Sequence, residues 1–440
     1  MLSALLLGAV ARAQTLPEYV KTSTEDGGIR QLRSSNGPHT KKNRSKKGKS
    51  EKRRVFVKYD TAKGKKVALK LASKVYYDFK DEKSVVVELD ETGIQALHSL
   101  KNDVVAVDDD TPMEMQGYLE GQLDPDMSSR RLQQTTPYGV TMVQAGQVSL
   151  PNYAYNRLKV CLVDTGVLYK HPDLPQKLMT GKNRDSAIDG TKLKWRKDVY
   201  GHGTCLAGII SSNRTNNIGE VGVGDIPLVI TRGMNDQGMC MQSDILDALS
   251  QCKAEGAKII SLSLGSSGIS TTFQQVLDDL YDNYGALIFA SSGNNGQQMN
   301  MYPASYPKVV SVGAVNATGQ HWRASNWGPA LELMAPGDRI WCTGVKNGQP
   351  TYSLYSGTSM AAPYAAGVAS LVWSNFPTCT NSQIRFALAY SAKDIGTHGC
   401  DQLTGNGIVQ ARAAFNFLST HPCTGATWGR TISSIGCDIV

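Results

Sequence analysis

Apolar positions fall into recognisable periods only after about residue 54. Residues 14 to 54 are polar and Lys-rich with scattered Gly and Ser, a composition that cannot bury a core and reads as a solvated, disordered segment. From Arg54 the pattern changes. Arg54 to Tyr59 and Ser84 to Leu89 read as strands, and Thr92 to Leu100 sets Ile94, Leu97 and Leu100 at helical spacing. Val104 to Val107 returns to strand, so a small α+β unit is predicted here. Asp108 to Arg131 is acidic and then loop-like, ending in the pair Arg130-Arg131.

The block from about Gln133 to Val440 differs in kind. Leu158 to Val163, Ile226 to Thr231, Ala257 to Leu264, Gly285 to Ala290 and Val309 to Val315 are apolar runs of strand length without alternation. Helical stretches separate several of them, notably Ser243 to Glu255 and Thr272 to Asn283. Unalternated strands with intervening helices predict an α/β fold, a mostly parallel central sheet covered by helices.

Charge first suggests a partner and then withdraws the suggestion. The chain has 440 residues and a formal charge of +8, enough to raise nucleic acid or a membrane surface as partners. Lys41 to Arg54 holds nine basic residues against one acid, Glu51, so its net +8 equals that of the whole chain. That stretch lacks aromatic interleaving and any nucleic-acid motif, so its charge serves to keep an arm soluble and extended. Leu2 to Val10 is a short apolar run followed by Ala11-Arg12-Ala13, the small-x-small form of a signal-peptidase site. No other run approaches the length of a membrane span. Nine cysteines, all from Cys161 onward, then predict disulfides in an oxidising compartment, with pairing unreadable and at least one thiol left over.

Three stretches of the large block carry chemistry. Val163-Asp164-Thr165-Gly166 puts a carboxylate at the end of a buried strand, and Gly201-His202-Gly203-Thr204 opens a helix. Gly357-Thr358-Ser359-Met360-Ala361-Ala362-Pro363 opens another, running to Val372. Element ends are where open α/β sheets place their sites. A serine hydroxyl is a weak nucleophile alone; His202 can take its proton, and Asp164 can hold the imidazole tautomer. Taken singly, Asp164 is a turn residue, His202 a structural histidine and Ser359 a helix N-cap. Together they are a nucleophile, a base and an orienting acid.

These stretches, in the order Asp, His, Ser, resemble the three signatures of the subtilisin-like serine proteases (peptidase family S8). The resemblance runs from about Thr136-Pro-Tyr-Gly-Val140 to Gly405-Asn-Gly-Ile-Val-Gln-Ala411. It implies a catalytic triad of Asp164, His202 and Ser359, with Asn294 in Ser291-Ser-Gly-Asn294 as the side-chain donor to an oxyanion. It implies too that Ser263, Leu264 and Gly265 form the strand edge that pairs with substrate backbone. Two positions depart from the family's pattern, Cys205 and Tyr364, where His is usual. Cys205 is read as a small buried hydrophobe, with a reactive thiol as the alternative.

Read through the resemblance, 1–13 is a signal peptide, 14–54 a basic pro-segment, 55–115 an inhibitory, I9-like propeptide, 116–132 a processing linker and 133–440 the catalytic domain. The implied protein is a zymogen that cuts itself near Met115-Gln116 and is cut again after Arg131 or Leu132. The positions matching the primary pocket, Ser291, Ser292 and Met301, carry no carboxylate, which implies apolar or unselective cleavage. No cofactor is implied for catalysis. Asp173, Asn217 and Gln134 match a structural calcium site whose loop is one residue short here. The implied partners are protein or peptide substrates and the chain's own propeptide, acting on a monomer that is secreted, or alternatively vacuolar or held elsewhere in the secretory pathway. The competing reading is a secreted binding protein that keeps an idle triad.

Overall fold

A computed structural model describes residues 51–122, 133–152, 157–185, 190, 192–425, 428 and 436–439. The signal-peptide segment, the pro-segment through Ser50 and the pair Arg130-Arg131 lie outside these residues.

The small α+β unit is β1 (Lys52–Tyr59), α1 (Ala62–Leu71), β2 (Lys74–Phe79), β3 (Ser84–Asp90), α2 (Glu91–His98) and β4 (Val104–Asp109). Its four strands are ordered β2-β3-β1-β4, with antiparallel neighbours. Alternation along the strands splits the sheet's two faces. Val55, Val57, Val85 and Val87 pack with Ile94 and Leu97 of α2, whereas Phe56, Phe79 and Val86 turn to the larger domain. Thr61 and Asp90 cap the two helices by accepting from Gly64 N and Gly93 N. The unit begins earlier than the sequence suggests. Lys52 and Arg53, expected in the solvated arm, belong to β1, and Arg54 pairs with buried Asp110 at 2.6 Å and stacks on Tyr76.

The tract expected to be loop-like holds two further strands, β5 (Pro112–Met115) and β6 (Tyr118–Gln122). Neither has an apolar run of its own; both form by pairing with edges of the large domain. In chain order that domain contributes α3 (Tyr138–Met142), β7 (Val160–Asp164), β8 (Met179–Lys182), the ribbon β9 (Arg184–Asp185) and β10 (Lys192–Leu193), and α4 (His202–Ser211). It continues with β11 (Leu228–Arg232), β12 (Met239–Met241), α5 (Gln242–Ala254), β13 (Ile259–Leu262), β14 (Leu264–Gly265) and α6 (Thr271–Asp282). Then come β15 (Leu287–Ser291), β16 (Val309–Val315), β17 (Leu331–Pro336), the hairpin β18 (Ile340–Lys346) and β19 (Gln349–Ser356), α7 (Thr358–Trp373), α8 (Asn381–Tyr390) and α9 (Ala411–Thr420).

Seven strands in the order β17-β16-β15-β13-β7-β11-β8 form an all-parallel sheet, as the unalternated runs predict. Val160 and Leu162 join one core with α4 and α7, while Cys161 and Val163 join the other with α5 and α6. The chain leaves β7 toward β11 and β8, then crosses to β13 on the other side. The strand order therefore switches at β7, and the crevice beyond its carboxyl end is where such sheets bind ligands.

Four disulfides join Cys161 to Cys252, Cys205 to Cys342, Cys379 to Cys423 and Cys400 to Cys437. Cys205 is buried in the core as expected, but as half of a disulfide rather than as a thiol: it ties the helix that His202 opens to the β18–β19 hairpin. The thiol left over is Cys240, buried, with its pKa pushed up by that burial. Among the described residues no helix is long and apolar enough to cross a membrane.

Candidate active site

Asp164 closes β7, His202 opens α4, and Ser359 lies in the first turn of α7, whose N-cap is Gly357 rather than the serine. All three are buried. His202 Nδ1 is 2.8 Å from Asp164 Oδ1, which also accepts from Thr165 N at 2.8 Å. That pairing leaves His202 Nε2 aimed at the cleft with no partner. The Ser359 hydroxyl donates to Ser263 O at 3.2 Å instead of to His202, so a change of its rotamer must precede proton transfer.

Sequence reasoning missed Asp198. Its Oδ1 accepts from Gly201 N at 2.8 Å and Thr165 Oγ1 at 3.0 Å, and its Oδ2 from Thr204 N at 2.9 Å. A carboxylate at the N-terminus of α4 satisfies orphan N–H groups and favours the helix dipole. Through Thr165, whose hydroxyl also accepts from Gly203 N, it fixes the helix that carries His202 against Asp164. An acid three residues ahead of the Gly201-His202 pair was the available signal. Tyr355 was missed as well; its ring meets His202 edge-on at 5.9 Å.

Asn294 is oriented without ambiguity. Its Oδ1 accepts from Thr358 N and Thr358 Oγ1, both at 2.9 Å, so its Nδ2 faces the other way, buried and unpartnered. A Cβ placed on Gly357 would lie 3.2 Å from that nitrogen and 2.6 Å from Gln116 O, so glycine is required for chain and amide to approach.

The chain itself fills the cleft. β5 runs antiparallel between β12 and β14, pairing Met115 with Leu264 and Glu114 with Gly265. Gln116 N donates to Ser263 O at 3.1 Å, and Ser359 N donates to Gln116 O at 3.0 Å. Ser263, Leu264 and Gly265 thus lie along the chain's own segment Glu114 to Gln116. The bond at the serine is Gln116–Gly117, one residue beyond the expected Met115-Gln116, because Met115 is still held in register by β14. A Cβ on Gly117 would sit 2.9 Å from His202 Nε2. β6 then continues away along β19, antiparallel.

Two carboxylates of the small unit reach the large domain's helices. Asp110 Oδ1 accepts from Ser243 N at 3.0 Å, and Asp108 Oδ2 accepts from Thr272 N at 2.8 Å, at the starts of α5 and α6. Burial pushes the Asp110 carboxyl up to about 6 against the pull of Arg54.

The calcium expectation does not fit. Asp173 is buried, and its oxygens accept from Asn216 Nδ2 at 2.8 Å, Glu220 N at 2.9 Å and Tyr352 OH at 3.1 Å. Gln134 presents its Nε2 to the loop, at 3.0 Å from Asn216 Oδ1, and Asn216 rather than Asn217 stands beside Asp173. Asp173 faces N–H and O–H donors in this arrangement, whereas calcium takes six to eight oxygen ligands. Burial pushes the Asp173 carboxyl up to about 6. Among the described residues no cluster of His, Cys, Asp and Glu is set to hold a metal.

A nucleophile, a base paired to a buried acid, and an unpartnered amide around a peptide carbonyl define an acyl-transfer site of the serine hydrolase kind. Comparison with known proteins narrows that class. The subtilase family model matches residues 156–407. Subtilisin DY of Bacillus licheniformis is 33% identical over 286 residues, covering 64% of this chain and 99% of its own. Subtilisin E of Bacillus subtilis is 30% identical over 359 residues, covering 80% and 86%. Among solved structures, the psychrophilic subtilisin-like protease Apa1 of an Antarctic Pseudoalteromonas superposes with a TM-score of 0.59 at 25% identity, covering 67% of this chain and all of that one. Fervidolysin of Fervidobacterium pennivorans, at 23% identity, shares the fold with a TM-score of 0.70 over 85% of this chain and 62% of its own. The chain belongs to the subtilase family and is a serine-type endopeptidase.

Proposed function

We propose that the chain is made as a zymogen that cuts itself between Gln116 and Gly117, with Asp164, His202 and Ser359 as the triad. One observation carries this reading: the Gln116 carbonyl accepts from Ser359 N at 3.0 Å while buried Asn294 Nδ2 stands unpartnered nearby. In the reaction Ser359 Oγ bonds to the Gln116 carbonyl carbon and His202 Nε2 takes the hydroxyl proton. The oxyanion is stabilised by Ser359 N–H and Asn294 Nδ2. The imidazolium, held by Asp164, gives its proton to the Gly117 nitrogen as the C–N bond breaks. Water, deprotonated by the same imidazole, releases Gln116 from the ester.

Residues 55–116 then remain as an inhibitor whose last strand fills the acyl side of the cleft, and a second cut after Arg131 or Leu132 completes maturation. The neutral Gln116 at the scissile position suits a pocket bounded by Ser291, Ser292 and Met301, and cleavage that is broad or apolar in preference. Four disulfides support passage through an oxidising, secretory compartment. N-terminal sequencing of the wild type and of Ser359→Ala tests the proposal. A new terminus at Gly117 in the wild type alone is expected; the same terminus in both would overturn self-cleavage.

A further inference from the structure

The leaving-group side of the cleft has a feature that bond cleavage does not need. β6 pairs with β19, Tyr118 opposite Ser356 and Leu119 opposite Tyr355, but Gly121 then lies opposite Leu354. Glu120 is therefore the extra residue of a β-bulge, and bulges re-aim side chains. Here the bulge sends the Glu120 carboxylate onto two groups of the enzyme. Its Oε2 is 3.1 Å from Arg339 Nη1, and its Oε1 accepts from the Ser356 hydroxyl.

The receiving groups are themselves held. Arg339 has φ 53°, a left-handed conformation that arginine rarely adopts and that persists only where neighbours fix it. Its N–H donates to Ser356 Oγ at 2.7 Å, locking the turn before β18 to the end of β19. The guanidinium side chain is 67% exposed, and among the described residues Glu120 is its ion-pair partner. Asp338 Oδ1 also lies 3.3 Å from Ser356 Oγ. The other side chains of β6 do not select: Tyr118 and Leu119 are about half exposed.

We propose that Arg339, with Ser356, is a specificity site on the leaving-group side of the cleft that favours an acidic side chain at the fourth position after the scissile bond. Glu120 holds that place before maturation, and an acidic residue of a protein substrate takes it afterwards. The proposal rests on Gln116–Gly117 being the bond presented to Ser359. It adds a charge preference to an enzyme whose acyl side has none, and it would steer cleavage toward sequences with Asp or Glu downstream.

The test uses quenched fluorescent peptides with the sequence of residues 111–122, carrying Glu, Gln or Lys at the position of Glu120. They are cleaved by the processed wild type, Arg339→Ala and Arg339→Glu, with the cut bond read by mass spectrometry. Expected for the wild type is kcat/KM about two- to fivefold higher for Glu than for Gln, the range of an exposed ion pair, with Lys lowest. The preference should vanish in Arg339→Ala, reverse toward Lys in Arg339→Glu, and shrink between about 0.05 and 1 M salt as screening tightens. Equal rates for the three peptides, all cut at Gln-Gly, would overturn the site and leave the self-cleavage reading intact. Cutting at a different bond would overturn the register on which both depend. The peptide series on the wild type decides the matter even where a variant fails to fold.

Discussion

On the acyl side of the Gln116–Gly117 bond, β5 lies between β12 and β14 with both edges paired, and the small unit behind it packs Phe56, Phe79 and Val86 into the large domain's core. On the leaving-group side, among the described residues β6 has one neighbouring strand, β19, and Tyr118 and Leu119 stand about half in solvent. The two strands are thus gripped unequally on either side of the bond proposed to be cut. A cut there leaves the acyl-side product bound and frees the other, which is the arrangement an inhibitor made by its own cleavage requires.

The largest effect should come from removing the nucleophile. Ser359→Ala should keep the chain uncut on a gel and lower peptide hydrolysis by about 10⁶-fold, so that both halves stay joined across the cleft. Asn294→Ala should lower kcat by about 10²–10³-fold with little change in KM, a magnitude set by mutagenesis of subtilisin rather than by this geometry. Gly117→Val should slow self-processing by about 10- to 100-fold, read as the half-time of conversion, because the added carbons meet His202 and displace the bond from Ser359. A normal rate would show that the leaving-group side is as loose at the bond itself as along β6.

The acyl side's grip can be weakened from a distance. Asp108→Ala and Asp110→Ala should each raise the inhibition constant of the propeptide added in trans by about 2- to 30-fold, the range for losing a helix cap. The smallest effect is that of pH. Burial raises the docked Asp110 carboxyl from its ordinary 3.8 to about 6, so docking takes up a proton between those values. Its share of the affinity is present below about pH 4 and lost as pH rises through 6. Inhibition should weaken about tenfold or less over that window, and Asp110→Asn should flatten the profile.

What was legible in the sequence is what the chain does locally. Val309 to Val315 is a strand to the residue because both its faces are buried and the apolar run is unbroken. Asp164, His202 and Ser359 announced themselves through the short glycine-bearing stretches that hold them. β5 and β6 were not legible, since Pro112-Met-Glu-Met and Tyr118-Leu-Glu-Gly-Gln become strands only by borrowing the edges of β12, β14 and β19. For the same reason the sequence placed the proposed cut only near Met115-Gln116, whereas the bond lying at Ser359 is Gln116–Gly117. The bridge from Cys205 to Cys342 joins residues 137 apart, a distance no spacing rule reaches. At Asp173 the sequence pattern gave no sign that the carboxylate is surrounded by N–H and O–H donors.

On the proposed maturation, Asp108 and Asp110 stand in a piece of chain that is discarded, yet they complete the first turns of two helices that remain. Part of the information that assembles the catalytic domain is therefore absent from the finished enzyme. Once the propeptide has gone, Ser243 N and Thr272 N must turn to water, and the route by which α5 and α6 were set against the sheet is no longer available. If maturation runs as proposed, the mature protease would endure by the height of its unfolding barrier, with a working lifetime set by a rate rather than by an equilibrium.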